Sequence, residues 1–320
     1  MLYKNCPLYA LQSKKMLSNL LGMPSKKWFQ QNFVQQNITP YIDHSRKPRL
    51  VEAPSLELKR IQKRIKNGLS RISFPSYVYS GVKGKSYVNH AKNHIGRRYL
   101  FKIDISAFFP NIPREKVYSF FKSELQTSSD VAEILTNLCT SDLSRPLQSR
   151  KEIDEFLASK RIKHLNHLCT GASPSPLLSY LVNKRMFDEL HSICDFYDIT
   201  MTVYVDDAVF SSTSPIDLNA RKKILNIVTK HGYNISKNKV KYYYPTEPKK
   251  ITGVIVKADG DITIPNKLRK KIIDRFDNYA DEQDINKLYG CLVAAKQIDR
   301  SAYPSIIEFI NQKKKSKDLN

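Results

Sequence analysis

Three aspartates in this chain are spaced to do chemistry together. Asp206 and Asp207 are adjacent, in Val203-Tyr204-Val205-Asp206-Asp207. The run Met201–Val205 before them is apolar and β-branched, and Ala208-Val209-Phe210-Ser211 after them is a second β run. Strand, acidic turn, strand predicts a hairpin with two carboxylates at its tip. Adjacent carboxylates repel, so such a tip is costly unless a cation neutralises it. An isolated Asp-Asp is more often a solvated turn, so the reading needs support from elsewhere. Asp104 supplies it: it ends the apolar run Arg97–Asp104 and precedes Ile105-Ser106-Ala107-Phe108-Phe109-Pro110. Its plainer role is to cap the following turn. A carboxylate at a buried strand end, facing the hairpin pair, would instead complete a three-acid site. Hard Mg²⁺ takes oxygen ligands of this kind, and two such ions can drive an in-line displacement at phosphorus.

The whole chain fits that chemistry. It has 320 residues, 41% hydrophobic and 26% charged, enough for a sizeable core in two or three subdomains. Lys and Arg number 53 against 30 Asp and Glu, a formal charge of +23. That excess points to a polyanionic partner. No apolar stretch approaches the ~20 residues of a membrane span, and Met1–Cys6 has no apolar core of signal-peptide length. The five cysteines form no C-x-x-C pair, so neither a disulfide framework nor a zinc site is indicated. A reducing cytoplasm is the expected compartment.

The elements that must position the acids follow from periodicity. Residues 1–40 read as helical, ended by Pro40. Residues 41–54 read as a hairpin turning at His44-Ser45-Arg46-Lys47-Pro48. Ser55 caps a helix to about Ile72, with Leu58, Ile61, Ile65 and Leu69 as its apolar stripe and Lys59, Arg60, Lys63, Arg64 and Lys66 around it. Helices are expected over 113–123, 128–140 and 150–160, with 141–170 a loop-rich basic insertion. A long helix follows over 174–194, then the acidic hairpin at 201–212. After it come a helix over 217–231 ended by Gly232, a strand over 251–256, a short strand at 261–264, and helices over 265–279, 283–297 and 302–314. The tail Lys313-Lys314-Lys315 is expected to fray. The order is α/β first, then an all-α unit, with the boundary near 257–263. His164 and His167, in His-Leu-Asn-His, read as surface residues rather than metal ligands.

With these residues in place, the chain resembles the reverse transcriptases. The Asp104 strand resembles that family's motif A, and Tyr204-Val205-Asp206-Asp207 its motif C. The resemblance implies an α+β right-hand polymerase with fingers, a ferredoxin-like palm and a helical thumb. It divides the chain into an N-terminal helical segment (1–40), fingers and palm (41–260) and thumb (261–320). It implies that Asp104, Asp206, Asp207 and the Ile105 carbonyl ligate two Mg²⁺ ions, and that Phe109 blocks the 2′-hydroxyl of a ribonucleotide; both Phe108 and Phe109 could also be core. Lys47 and Arg49 resemble the triphosphate-holding hairpin. Gly171-Ala172-Ser173-Pro174-Ser175-Pro176 resembles motif B, with Thr170 where Gln is usual; Gly171 would let backbone approach nucleotide and template. Gly232–Lys239 resembles motif D, and Lys239 is the choice for the lysine that protonates pyrophosphate, with Lys237 and Lys241 as rivals. Ile251-Thr252-Gly253 resembles the primer-gripping strand, and Lys267, Arg269, Lys270 and Lys271 are candidates for phosphate contact.

Within the family, two segments resemble the bacterial retron enzymes. Ala91 and His94 fit their Asn-Ala-x-x-His element, with His90 in place of Asn, and Ile251-Thr252-Gly253 approximates their Val-Thr-Gly. The chain length, with nothing appended, also suits that group. The resemblance implies a structured non-coding RNA as template and primer, deoxynucleotides as substrate, an RNA–DNA hybrid product, an effector or toxin partner and a role in anti-phage defence. Two other kinds of protein stay open: another defence-associated reverse transcriptase, with templated, untemplated or protein-primed synthesis, and a catalytically weak RNA-binding scaffold.

Overall fold

The computed structural model describes residues 3–45, 47–96 and 98–315; Arg46 and Arg97 lie outside them, as do the side chains of Lys313–Lys315. In chain order, α1 (Lys14–Leu21) and α2 (Gln31–Gln36) precede the hairpin β1 (Ile38–Asp43) and β2 (Arg49–Pro54), and then come α3 (Leu56–Leu69), α4 (Tyr87–Lys92) and β3 (Tyr99–Asp104). Next are α5 (Arg114–Ser119), α6 (Ser129–Cys139), β4 (Thr140–Asp142), α7 (Arg150–Ser159) and β5 (Asn166–Leu168). They lead to α8 (Ser175–Leu181), α9 (Lys184–Phe196), β6 (Thr200–Tyr204), β7 (Asp207–Ser212) and α10 (Leu218–Lys230). Short strands follow, β8 (Lys241–Tyr243), β9 (Lys249–Ile251), β10 (Val254–Val256) and β11 (Ile262–Thr263), and the chain closes with α11 (Asn266–Asp277), α12 (Glu282–Ile298) and α13 (Pro304–Lys315). The protein is α+β.

The sheet that matters is four-stranded and antiparallel, in the order β6-β7-β3-β8. Its strands alternate as the pleat requires. Phe101 and Ile103 sit opposite Phe210 and Ala208 and enter the main core with α3, α6, α8 and α9. Leu100 and Val209 face the other way, into a second core shared with α4, β9–β11 and the three C-terminal helices. The sheet is thus covered on both faces. Ile42 and Leu50 of the β1–β2 hairpin pack with Leu143, Ile153 and Leu157 in a third, small core.

Several elements differ from the sequence reading. The strand begins at Ile38, so Pro40 lies inside β1 instead of ending a helix. The helix expected over 174–194 is broken at Val182-Asn183. Asn183 is buried, donates to the Ser179 carbonyl (2.9 Å) and accepts from the Tyr233 hydroxyl (2.6 Å). These side-chain bonds offer a local alternative to a continuous helix. The strand expected over 251–256 is two strands joined by Thr252-Gly253. Both residues have positive φ, 41° and 85°, as a two-residue hairpin of the I′ kind demands. Inside the expected insertion, β4 and β5 pair in a hairpin around α7. The backbone of Lys313–Lys315, expected to fray, ends α13.

Candidate active site

The acidic hairpin closes on Tyr204 opposite Asp207, leaving Val205 and Asp206 as the turn. Val205 has φ 58°, a conformation that a β-branched residue adopts only where its surroundings enforce it. The enforcement is visible in the backbone. Ile105 N donates to Asp206 O (3.0 Å), Ser106 N to Asn234 O (2.8 Å) and Ser236 N to Asp104 O (2.9 Å). The residues after β3 are therefore stitched to the hairpin tip on one side and to 234–236 on the other.

Asp104 and Asp207 are direct cross-strand partners at the end of the β3–β7 ladder. Asp104 is buried; Asp207 is half-buried. Asp104 accepts from Lys239 Nζ (2.6 Å) and Ser236 Oγ (2.7 Å). Asp207 accepts from Lys102 Nζ (2.9 Å) and Thr252 Oγ1 (3.3 Å), and Thr252 Oγ1 also meets His90 Nδ1 (3.0 Å). Burial alone would lower the Lys239 ammonium; its bond to Asp104 and the charges of all three aspartates outweigh that and raise it above its ordinary value. No lysine forms an ion pair with Asp206 among the described residues. Burial, then the charges of Asp104 and Asp207, push its carboxyl up to about 6.

Among the described residues, no three His, Cys, Asp or Glu side chains stand together in a formed metal cluster, and Asp104 and Asp207 each face a lysine. The donor chemistry nonetheless fits a hard divalent cation. The site offers carboxylate oxygens, and Asp206, raised by burial and by its two acidic neighbours, would be relieved by a cation. Asp104, Asp206 and Asp207 would hold the ion.

Beside the acids is a cavity of about 390 Å³ lined by Arg49, Leu50 and Val51, by Phe108, Phe109 and Pro110, and by Thr170, Val205 and Asp206. Phe108 is buried in the core, whereas Phe109 is only half-buried and shares the cavity wall. Arg49 is exposed and holds Asp43 through Nε and Nη2 (2.9 and 2.8 Å). Lys47 is exposed on the same hairpin and does not line the cavity. Gly171 is needed for a different close approach from the one expected: a Cβ there would lie 2.1 Å from the Glu52 carbonyl oxygen. Its neighbour is the backbone of β2.

Other expected residues are placed otherwise. His94 is sealed between α4 and the sheet, its ring nitrogens 2.6 Å from Ser211 Oγ and Thr202 Oγ1. The buried ring packs the turn after α4 onto β6 and β7. His167 is not a surface residue: it is buried in β5 and paired with Glu52 (3.0 Å). Lys267, Lys270 and Lys271 line a cavity of about 650 Å³ with Arg275 and Lys287, beside Asp274 and Asp284. Arg269 is turned onto its own unit, donating to Ile264 O (3.1 Å) and Thr263 Oγ1 (2.8 Å). Thr252 and Gly253 form the β9–β10 turn within reach of Asp207.

Comparison with known proteins identifies the arrangement. The family described as reverse transcriptase (RNA-dependent DNA polymerase) matches residues 40–256. The chain belongs to the reverse transcriptase family. Its relatives include Retron Ec86 reverse transcriptase of Escherichia coli, 24% identical over 276 residues, covering 85% of this chain and 78% of that one. Retron Ec83 reverse transcriptase of Escherichia coli is 25% identical, covering 83% and 82%. Retron Se72 reverse transcriptase of Salmonella heidelberg (strain 579083-10) is 25% identical, covering 75% of this chain and 58% of that protein. The protein is a retron-type reverse transcriptase with RNA-directed DNA polymerase activity.

The sequence reading passed over several residues of the candidate site of this reverse transcriptase. Lys102 stands two residues before Asp104, hence on the same face of β3, and strand periodicity could have found it. Ser236, Glu52 and the pairing of His167 carry no local signal, because their partners are more than 100 residues away. Charge distribution was a readable signal: residues 1–103 hold 20 Lys or Arg and only Asp43, Glu52 and Glu57, so +17 of the chain's +23 lies in its first third.

Proposed function

We propose that this enzyme copies a structured non-coding RNA into single-stranded DNA by two-metal nucleotidyl transfer, as part of a retron that defends its host against phage. The observation that carries the reading is the convergence of Asp104, Asp206 and Asp207 at one end of the β3–β7 ladder, beside a cavity walled by Arg49 and Phe109. The four-stranded sheet is the palm, the β1–β2 hairpin belongs to the fingers, and α11–α13 are the thumb; residues 1–40 are an N-terminal segment, 41–260 the fingers and palm, and 261–320 the thumb.

Asp104, Asp206 and Asp207 hold Mg²⁺, which supplies activation of the primer 3′-hydroxyl and charge neutralisation on the leaving pyrophosphate. Lys47 and Arg49 bind the triphosphate of the incoming deoxynucleotide, and Arg suits forked phosphate contact. Phe109 closes the cavity against a 2′-hydroxyl. Lys239, held beside Asp104, gives its proton to pyrophosphate. Thr252 and Gly253 hold the primer end near Asp207, and Lys267, Lys270 and Lys271 grip the RNA–DNA hybrid. The product would then act with an effector protein in the bacterial cytoplasm. Among the described residues, no helix is long and apolar enough to cross a membrane.

Sequencing the nucleic acid that copurifies with the protein tests this reading. A molecule with RNA joined to DNA is the expected result. RNA alone from cells supplied with the native locus, or DNA attached to the protein, would contradict it.

A further inference from the structure

We propose that the buried pair Glu52–His167 is the positioning element of the nucleotide cavity, setting the separation of its three walls. The inference rests on the reading of that cavity as the deoxynucleotide site. Glu52 and His167 side chains are both fully buried, with His167 Nε2 3.0 Å from Glu52 Oε1. His167 Nδ1 meets the His164 carbonyl (2.8 Å), so both ring nitrogens are engaged.

Each wall is tied to this pair. Arg49, Leu50 and Val51 form the first wall, and Glu52 follows them directly in β2. Thr170 forms the second. Its N–H donates to Glu52 Oε2 (2.8 Å), and its hydroxyl accepts from the Glu52 N–H (3.0 Å). Cys169 Sγ and Gly171 both abut the Glu52 carbonyl. Phe108, Phe109 and Pro110 form the third. The segment just after them is bonded to β5, through the Leu168 N–H to the Ile112 carbonyl (2.9 Å) and a bridge between Pro113 and His167. The Glu52 carboxylate thus joins β2 to the Thr170 loop, and the His167 imidazole joins β2 to β5, whose backbone holds the segment after Phe109.

A buried carboxylate is tolerated only when paired and hydrogen-bonded. Burial drives His167 toward its neutral form, and the Glu52 charge outweighs it, so the imidazole keeps its proton above the ordinary range. Removing the ring leaves Glu52 without its ion-pair partner inside the protein. The cheapest relief is for β2 to move outward, which carries Arg49 and Val51 away from Thr170 and Phe109. The acids lie on another ladder, β3–β7, and would keep their places. The defect should therefore appear in nucleotide binding rather than in the chemical step.

The test is single-nucleotide extension of a primer on an RNA template, with dNTP KM, kcat and primer–template Kd measured for full-length wild type, His167→Leu, His167→Gln and Glu52→Gln. For His167→Leu the dNTP KM should rise about tenfold, with kcat changed less than about threefold and primer–template Kd unchanged. His167→Gln restores an N–H donor to Glu52 and should bring KM back to within about threefold of wild type. Glu52→Gln keeps the shape without the charge and should raise KM about threefold, so it carries the test if His167→Leu does not fold. An unchanged KM in a folded His167→Leu or Glu52→Gln protein overturns the proposal. So does an equal loss in KM, kcat and primer–template Kd. Phe109→Ala separates the two claims: if it shifts nucleotide selection while the Glu52 and His167 variants do nothing, only the positioning role fails. If none of them alters nucleotide binding or selection, the cavity is not the nucleotide site.

Discussion

Asp104 and Asp207 stand directly opposite one another on β3 and β7, and each is bonded to a different lysine, Lys239 at 2.6 Å and Lys102 at 2.9 Å. Like charges directly across a ladder are destabilising, and the lysines offset that repulsion at this end of the sheet. Lys102 does this from β3 itself, diagonally across to Asp207; Lys239 arrives from the segment before β8. Asp206, at the turn, receives no such lysine among the described residues, and its carboxyl is pushed up to about 6. The site thus balances two of three carboxylates and leaves the third to be neutralised by what binds there.

Asp206 gives a stability prediction with a definite sign. Its folded-state pKa, about 6, lies above the unfolded value near 3.8, so the folded protein binds the proton more tightly and ionised Asp206 costs stability. The cost is absent below pH ~4, grows between ~4 and ~6 and is complete above that, on the order of 2 kcal/mol. Asp206→Asn should therefore melt several degrees above wild type at pH 8 without divalent cation, with the gap closing toward pH 4. Thermal melts at the two pH values check this; a gap that persists at pH 4 contradicts the assignment. Added Mg²⁺ should raise the wild-type melting temperature at pH 8 and leave that of Asp206→Asn nearly unmoved.

Lys239 is bonded to Asp104 and raised in pKa, as befits a proton donor that stays charged until the leaving group forms. Lys239→Ala should slow the incorporation step by about a hundredfold with little change in dNTP KM, whereas Lys237→Ala and Lys241→Ala should not. Rapid-quench single-turnover rates distinguish them, and an equal effect at all three positions would reduce Lys239 to a surface cation.

Phe109 is half-buried on the cavity wall, whereas Phe108, which also touches that wall, is buried in the core. Phe109→Ala should raise ribonucleotide incorporation relative to deoxynucleotide by about tenfold or more, while Phe108→Ala should chiefly lower the melting temperature. Unchanged sugar discrimination in Phe109→Ala would remove it from that role.

Lys267, Lys270 and Lys271 share one cavity of the C-terminal helical unit. Replacing all three by Ala should weaken binding to an RNA–DNA hybrid and flatten the log–log dependence of affinity on salt by roughly 2. Binding titrations at several salt concentrations measure the slope. Arg269→Ala, whose guanidinium is spent on Ile264 and Thr263, should lower stability more than it changes that slope.

How far this architecture was legible from sequence depended on the range of the forces involved. The acidic hairpin and α3 were plain because strand and helix periodicities are local, and Ser55, Asp217 and Gly232 punctuate the chain. The break at Asn183 was hidden because the bond that breaks the helix comes from Tyr233, 50 residues on. Thr252-Gly253 lay inside an apolar run whose β propensity masked a turn between two short strands. The burial of His94 and of His167 was hidden for a shared reason. A histidine's burial is decided by its partners, Ser211, Thr202 and Glu52, and these are distant in sequence. The need for glycine at 171 was legible, but its cause, the Glu52 carbonyl, was not.

The most direct test of the account is primer extension on an RNA template with Mg²⁺ and dNTPs, comparing wild type with Asp206→Ala/Asp207→Ala. The account predicts that the double variant stays folded, binds RNA as wild type does, and loses incorporation by about a thousandfold or more. Undiminished DNA synthesis by the double variant would contradict it.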